Sequence, residues 1–301
     1  MTISADEFIG AIVPYFGSKR TLAPTIVEEM GNHHTYFEPF CGSCAVLLAK
    51  PWARMETVND LNGDLINLAR TIKHPIAGPV FYRRCRRMIM SESEHRAASS
   101  RWKQRGRIAA PTEPDIDSAV DYFFSSWVGR NGVTGASGYN QGFAARYTPN
   151  GGHGGTRWKS STDSIPQWRR RMRCVTILNR DGFELLEKLE DCQGVAIYAD
   201  PPYIEKGADY IHDFETEDHA RLAKILGRFT RARVVVSYYD HPSLAELYPG
   251  WTIRQTPTTK AMMCGNGRRG EIGAVVAPEV LIINGPSFSS EYHRGLFGAP
   301  A

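Results

Sequence analysis

The sequence predicts an α/β protein built on a largely parallel sheet. Three observations carry this: apolar runs of strand length alternate with segments of helical period, glycine- or acid-bearing turns follow successive runs, and a basic stretch interrupts the alternation in mid-chain.

In order, residues 35–38 form a first short strand and 43–50 an apolar helical stretch. Residues 56–59 form a second strand, and Leu61, Leu65, Ile66 and Leu68 mark the apolar face of the next helix. From 80 to 174 the rhythm breaks into arginine-rich helical patterns, FYRRCRRMIM and then DIDSAVDYFFSSW. A loop rich in Gly, Asn, Ser and Thr follows over 128–164. A structureless loop of that length inside a compact domain is usually functional. The alternation resumes with a strand at 174–178, a helix over 182–189, a buried strand at 194–199, a helix over 216–228 and a strand at 233–237. The apolar run 275–283, interrupted by Pro278, predicts a closing antiparallel strand or hairpin. The expected organisation is one domain made of 11–79 and 175–285, split by an insert over 80–174 and followed by a tail at 286–301.

A chain of 301 residues with 42% hydrophobic content buries a substantial core. No run of about 18 apolar residues suggests a membrane span. The opening MTISADEFIG has neither the basic nor the apolar region of a secretory signal. Six mostly scattered cysteines (Cys41, Cys44, Cys85, Cys174, Cys192, Cys264) fit a reduced, cytoplasmic protein. No metal site is expected, since Cys41 and Cys44 lack a second ligand pair and His33 and His34 have no matching spacing. The net charge of +4 is uneven: residues 80–174 carry 17 Lys and Arg against seven Asp and Glu, while the rest is acidic. Such a segment attracts a polyanion or forms a solvated helical face.

In parallel sheets ligands bind at the carboxyl ends of the strands. Asp200-Pro201-Pro202-Tyr203 directly follows the apolar run GVAIYA and so falls at such an end. These residue types suit an exocyclic aromatic amine, a poor nucleophile because its lone pair is delocalised into the ring. The Asp200 carboxylate and the Pro201 carbonyl supply two acceptors for the amine hydrogens. Consecutive prolines stiffen the backbone that holds the carbonyl, and Tyr203 offers a flat face for stacking an extruded base. The bland reading is a proline-stiffened turn with Tyr203 packed on the surface. At the first strand, Tyr36 to Ser43 run into a tight turn bearing Gly42 and then a helix, an arrangement that favours close backbone approach and a ligand carboxylate. No G-x-G-x-x-G is present, which argues against a dinucleotide. Asp60 is placed to accept ribose hydroxyls or to cap the next helix. Asp181 offers the same two readings, with Phe183 available to cover an adenine ring.

The chain resembles the Dam-type adenine-N6 DNA methyltransferases over roughly residues 11–284. The resemblance rests on Pro14-Tyr15-Phe16-Gly17-Ser18-Lys19, Phe37-Glu38-Pro39-Phe40-Cys41-Gly42-Ser43, Val58-Asn59-Asp60-Leu61-Asn62, Asn179-Arg180-Asp181-Gly182-Phe183 and Asp200-Pro201-Pro202-Tyr203, in that order. It implies a Rossmann-like methyltransferase sheet with one antiparallel strand, an inserted and mainly helical target-recognition domain, S-adenosylmethionine as cofactor and double-stranded DNA as partner. It also implies cofactor contacts from Tyr15, Phe16, Gly17 and Lys19 at the methionine part, from Glu38, Pro39, Phe40, Gly42 and Ser43 at the first turn, from Asp60 at the ribose, and from Asp181 and Phe183 at the adenine. Two departures stand out: Ser18 replaces a common second glycine, and Cys41 and Cys44 flank a turn often richer in small residues.

Within the insert, Arg130, Asn131, Asn140 and Gln141 lie among glycines and are of the types that read base edges. The arginines at 83–87 and 169–173 suit phosphates instead. The rival readings are an N4-cytosine or RNA methyltransferase, a DNA-binding subunit without catalysis, and a thiol redox protein using Cys41 and Cys44.

Overall fold

In the computed structural model, residues 9–15, 17–106, 109–129, 142–145, 153–204, 214–256 and 278–289 are described. Seven strands, β1 (Thr35–Glu38), β2 (Met55–Asn59), β3 (Thr176–Leu178), β4 (Val195–Ala199), β5 (Arg233–Tyr239), β6 (Thr252–Gln255) and β7 (Glu279–Ile283), are ordered β3-β2-β1-β4-β5-β7-β6. β2 pairs in parallel with β3, and β4 in parallel with both β1 and β5. β7 alone runs against its neighbours, antiparallel to β5 and β6. This is the expected mostly parallel sheet with one antiparallel strand.

The chain divides into two compact units. The first holds residues 1–20, 41–49 and 57–181. It contains α2 (Ala45–Ala49), α3 (Gly63–Lys73), α4 (Ala77–Arg87), α5 (Glu92–Arg105), α6 (Ile116–Val128) and α7 (Gly154–Met172). Its core is aromatic: Phe123 of α6 meets Phe81, Trp127, Trp158 and Trp168 at ring separations of 5.4–6.2 Å. Full burial of each such ring contributes about 1.5–3 kcal/mol. Two indole N–H groups leave this core to bond the N-terminal segment, Trp127 to the Ile12 carbonyl and Trp168 to the Ile9 carbonyl. They thereby satisfy their own buried donors and fix the segment that leads to Tyr15.

Several expectations need correcting here. The loop drawn over 128–164 ends by Gly154, because α7 starts there, capped by the His153 side chain, and runs through Pro166. Leu61 lies outside α3 and is 43% exposed. α3 instead begins under Asn62, whose side chain accepts from the backbone of Asp64 and Leu65. The N-cap reading offered for Asp60 therefore belongs to Asn62.

The second unit holds residues 21–40, 50–56 and 182–301, with α1 (Ala23–Met30), α8 (Gly182–Glu187), α9 (Thr216–Leu226) and β1, β4, β5, β6 and β7. Ile197, Val234, Val236 and Ile282 of the strands pack with Leu222 and Leu226 of α9. A buried ion network also supports this unit. Glu29, at the end of α1 and fully buried, accepts from Arg233, Arg254, Ser287 and the Phe288 backbone. No helix among the described residues is long and apolar enough to cross a membrane.

Removing one partner of a buried pair leaves uncompensated charge. Glu29→Ala is therefore expected to lose about 3–5 kcal/mol in urea unfolding. Glu92→Ala, which breaks the exposed Arg96–Glu92 pair, is expected to lose under about 1 kcal/mol. Equal losses would contradict the structural role of Glu29.

Candidate active site

In the first unit the strand ends are cross-tied by amide and carboxylate side chains. Asp60, directly after β2, accepts from the Gly42 backbone N–H through Oδ2 at 2.8 Å and from the Asn62 N–H through Oδ1 at 2.9 Å. Hydrogen bonds to an ionised acceptor are about twice as strong as neutral ones. Asn59, fully buried, pairs with both backbone groups of Arg180. Asn179 donates to the Asp60 carbonyl at 2.7 Å and accepts from the Ala110 N–H. The ends of β2 and β3 are thus joined twice. Asn59, Asn62 and Asn179 were quoted within motifs but given no part in the site. Their signal is a short amide side chain at each strand end, the type that bonds the backbone locally.

The turn itself is held from the other side. Gly42 has φ +43°, and a Cβ there would lie 3.4 Å from the Tyr15 ring. Gly17 has φ +71°, a backbone shape L side chains rarely take, and its carbonyl accepts from the Lys19 ammonium at 2.6 Å. The Ser18 and Ser43 hydroxyls lie 2.9 Å apart, so the two departures from the family pattern bond to one another. The Ser43 carbonyl accepts from the Ile12 N–H. Cys41 and Cys44 are buried free thiols. Asp181 is half-buried, immediately before α8. Phe16, Arg130, Asn131, Asn140 and Gln141 lie outside the described residues.

In the second unit, β1 ends on buried Glu38 and Pro39, with Phe40 beyond them. The Phe40 ring lies over the start of α8, where a Cβ on Gly182 would come within 2.6 Å of it. Phe40 meets Phe183 and Phe214 edge-on. Phe183 is buried, nearly parallel to Phe214 at 5.7 Å and 4.4 Å from the Arg221 guanidinium. The open aromatic face expected of Phe183 is therefore already packed by side chains leading into and along α9.

At the end of β4, Asp200 Oδ1 accepts from the Ser237 hydroxyl at 2.7 Å, and Ser237 Oγ lies 2.9 Å from the Tyr198 hydroxyl. A hydroxyl has one proton. With Ser237 donating to Asp200, Tyr198 donates to Ser237, and the three form a directed chain. Burial, then the Asp200 charge, raises the Tyr198 pKa well above its ordinary value, so the phenol stays a donor. Ser237 went unnoticed in the sequence; its signal is a polar residue closing the buried run of β5. Tyr203 corrects a further expectation. It is 3% exposed, its hydroxyl donates to Glu279 at 2.7 Å, and its ring packs edge-on against Tyr239 at 4.4 Å. It anchors the proline turn to β7 and presents no open face. Among the described residues no cluster of His, Cys, Asp or Glu is grouped as metal ligands.

The strand order, the braced turn after β1 and the anchored proline turn after β4 are the features that comparison with known proteins bears on. The chain is 26% identical over 281 residues to the Type II methyltransferase M1.LlaDCHI of Lactococcus lactis subsp. cremoris, covering 86% of this chain and 92% of that protein. It is 27% identical over 248 residues to the retron Ec67 DNA adenine methylase of Escherichia coli, covering 81% and 82%. The model of the D12 class N6 adenine-specific DNA methyltransferases matches residues 15–262, taking in every motif singled out above from Tyr15 to Tyr203. With the fold and the strand-end turns in agreement over more than half its length, the chain belongs to the D12 class of N6 adenine-specific DNA methyltransferases.

Proposed function

We propose that this enzyme takes its methyl group from S-adenosylmethionine and that Asp200 and the Pro201 carbonyl receive the target adenine amine, turned out of the duplex. The observation that carries this reading is the Ser237 hydroxyl on Asp200 Oδ1. It sets the carboxylate at the carboxyl end of β4 before any substrate arrives, which is what positioning catalysis requires. When bound, the donor supplies an electrophilic methyl on sulfur. The chain's own part is to draw the two N6 hydrogens toward Asp200 and the Pro201 carbonyl. That localises the lone pair on nitrogen, and the Asp200 carboxylate takes the proton N6 sheds after transfer. Pro202 stiffens this segment, and Tyr203 holds it against Glu279.

The donor set of the chain fits an S-adenosyl group. Gly17 and Gly42, both at positive φ, leave backbone open to a ligand, beside Tyr15, Phe16, Lys19 and Ser43. Glu38, Pro39 and Phe40 lead into the same turn. Asp60 is assigned to the ribose hydroxyls, each oxygen having lone-pair capacity beyond its one backbone bond, and Asp181 and Phe183 to the adenine. Residues 80–174 are assigned to DNA recognition, with Arg130, Asn131, Asn140 and Gln141 as base readers.

Asp200→Ala is expected to keep S-adenosylmethionine affinity within about threefold and to lower kcat by roughly 10²–10⁴. Near-normal turnover would remove Asp200 from the chemistry. Ser237→Ala is expected to lower kcat by about tenfold with both KM values unchanged, because it frees a carboxylate that acts mainly in the transition state. A rise in KM alone would contradict that. Asp60→Ala is expected to weaken cofactor binding by about tenfold or more in calorimetry with little change in kcat, as uniform binding requires. Unchanged affinity would make Asp60 a brace for the turn and nothing else.

A further inference from the structure

We propose that a cleft between the end of α3, residues 112–114 and the last turn of α7 holds the sugar–phosphate backbone of the DNA substrate. The cleft measures about 830 Å³, and Arg70, Lys73, His74, Arg169, Arg170 and Arg173 line it, with Glu113 as its one carboxylate.

The sequence offered two arginine clusters for phosphates, and the structure separates them. In the cluster of α4, Arg84 is held by Asp117 at 2.5 Å, and the Arg86 guanidinium lies over the Tyr82 ring. In the groove beside α4, Arg101 and Arg105 both bond Asp121. Those cations are matched by carboxylates.

In the α7 cleft no lining cation forms an ion pair among the described residues. Its bonds run to carbonyls: Arg70 to Pro111 and Thr112, Lys73 to Val175, and Arg169 to Pro75. Carbonyls orient a cation without neutralising it. The bland account is that these side chains offset helix C-termini. Two helix ends amount to about one negative charge together. Five permanent cations exceed that end charge and Glu113 combined, leaving a surplus of about three. Arg170 and Arg173, three residues apart at the helix end, are both exposed. A surplus of that size, spread along an open cleft, suits the repeating charges of a phosphodiester chain. The polyanion in this enzyme's reaction is DNA.

The test is binding of the full-length protein to a labelled duplex by fluorescence anisotropy across a salt series. The double variant Arg170→Gln/Arg173→Gln is compared with Arg84→Gln. Both replaced cleft arginines are exposed, and an unchanged melting temperature checks that the double variant folds. The slope of log affinity against log salt is expected to fall in magnitude by about 1–2 for the double variant, near 0.9 per phosphate released. The loss should be equal on specific and scrambled duplexes, and the slope for Arg84→Gln should stay within about 0.5 of the parent. A parent-like slope in the double variant overturns the proposal. So does loss of inorganic phosphate binding with the DNA slope retained, which would make the cleft a small-anion site. Because binding needs no methyl transfer, failure here leaves the assignment of Asp200 untouched.

Discussion

The Asp60 carboxylate is the constraint on which the first unit's strand ends depend. One oxygen holds the Gly42 N–H and the other the Asn62 N–H. A single charged group thus fixes the turn after β1 and the entry to α3 together. The turn needs this brace because it carries positive φ at Gly42 and at Cys44, a conformation costly for a non-glycine residue. Asn59 and Asn179 extend the same logic to β3. Short polar side chains satisfy backbone groups at the strand ends, and the ends stay registered without helical or sheet bonding to do it.

At β4 the constraint is a proton-donating chain aimed at a carboxylate. Tyr198 and Ser237 are buried and Asp200 half-buried. The Tyr203 pKa is also raised well above its usual value, first by burial and then by Asp200 and Glu279, so its hydroxyl remains a donor to Glu279. The carboxylate therefore meets fixed donors from its own unit. Preorganisation of this kind costs nothing at the moment of reaction.

The parallel strands were legible because each is a short apolar run bounded by turn residues. β1 keeps both predicted ends, and β2 gains only Met55. α7 was drawn too short, since Gly154 and Gly155 read as loop and Pro166 as a break, whereas burial of Trp158 and Trp168 overrides both. α5 gave no apolar period because it buries only His95, Ala98 and Ser99. β6 is a four-residue edge strand with no fully buried side chain. At the site, the motifs gave residue types but not their neighbours. Asp200 was found from its position, whereas Ser237, 37 residues on, became visible only when β5 was laid beside β4. Tyr203 and Phe183 were assigned by chemistry that suits an exposed ring, and the packing that buries them comes from α9, β5 and β7.

The account's central claim is methyl transfer to N6 of adenine in DNA, and isotope tracing tests it most directly. Duplex DNA would be incubated with the enzyme and S-adenosylmethionine labelled in its methyl group, digested to nucleosides and analysed by mass spectrometry. The account predicts label in N6-methyldeoxyadenosine alone. Label in N4-methyldeoxycytidine, or none in DNA while RNA is labelled, would contradict it.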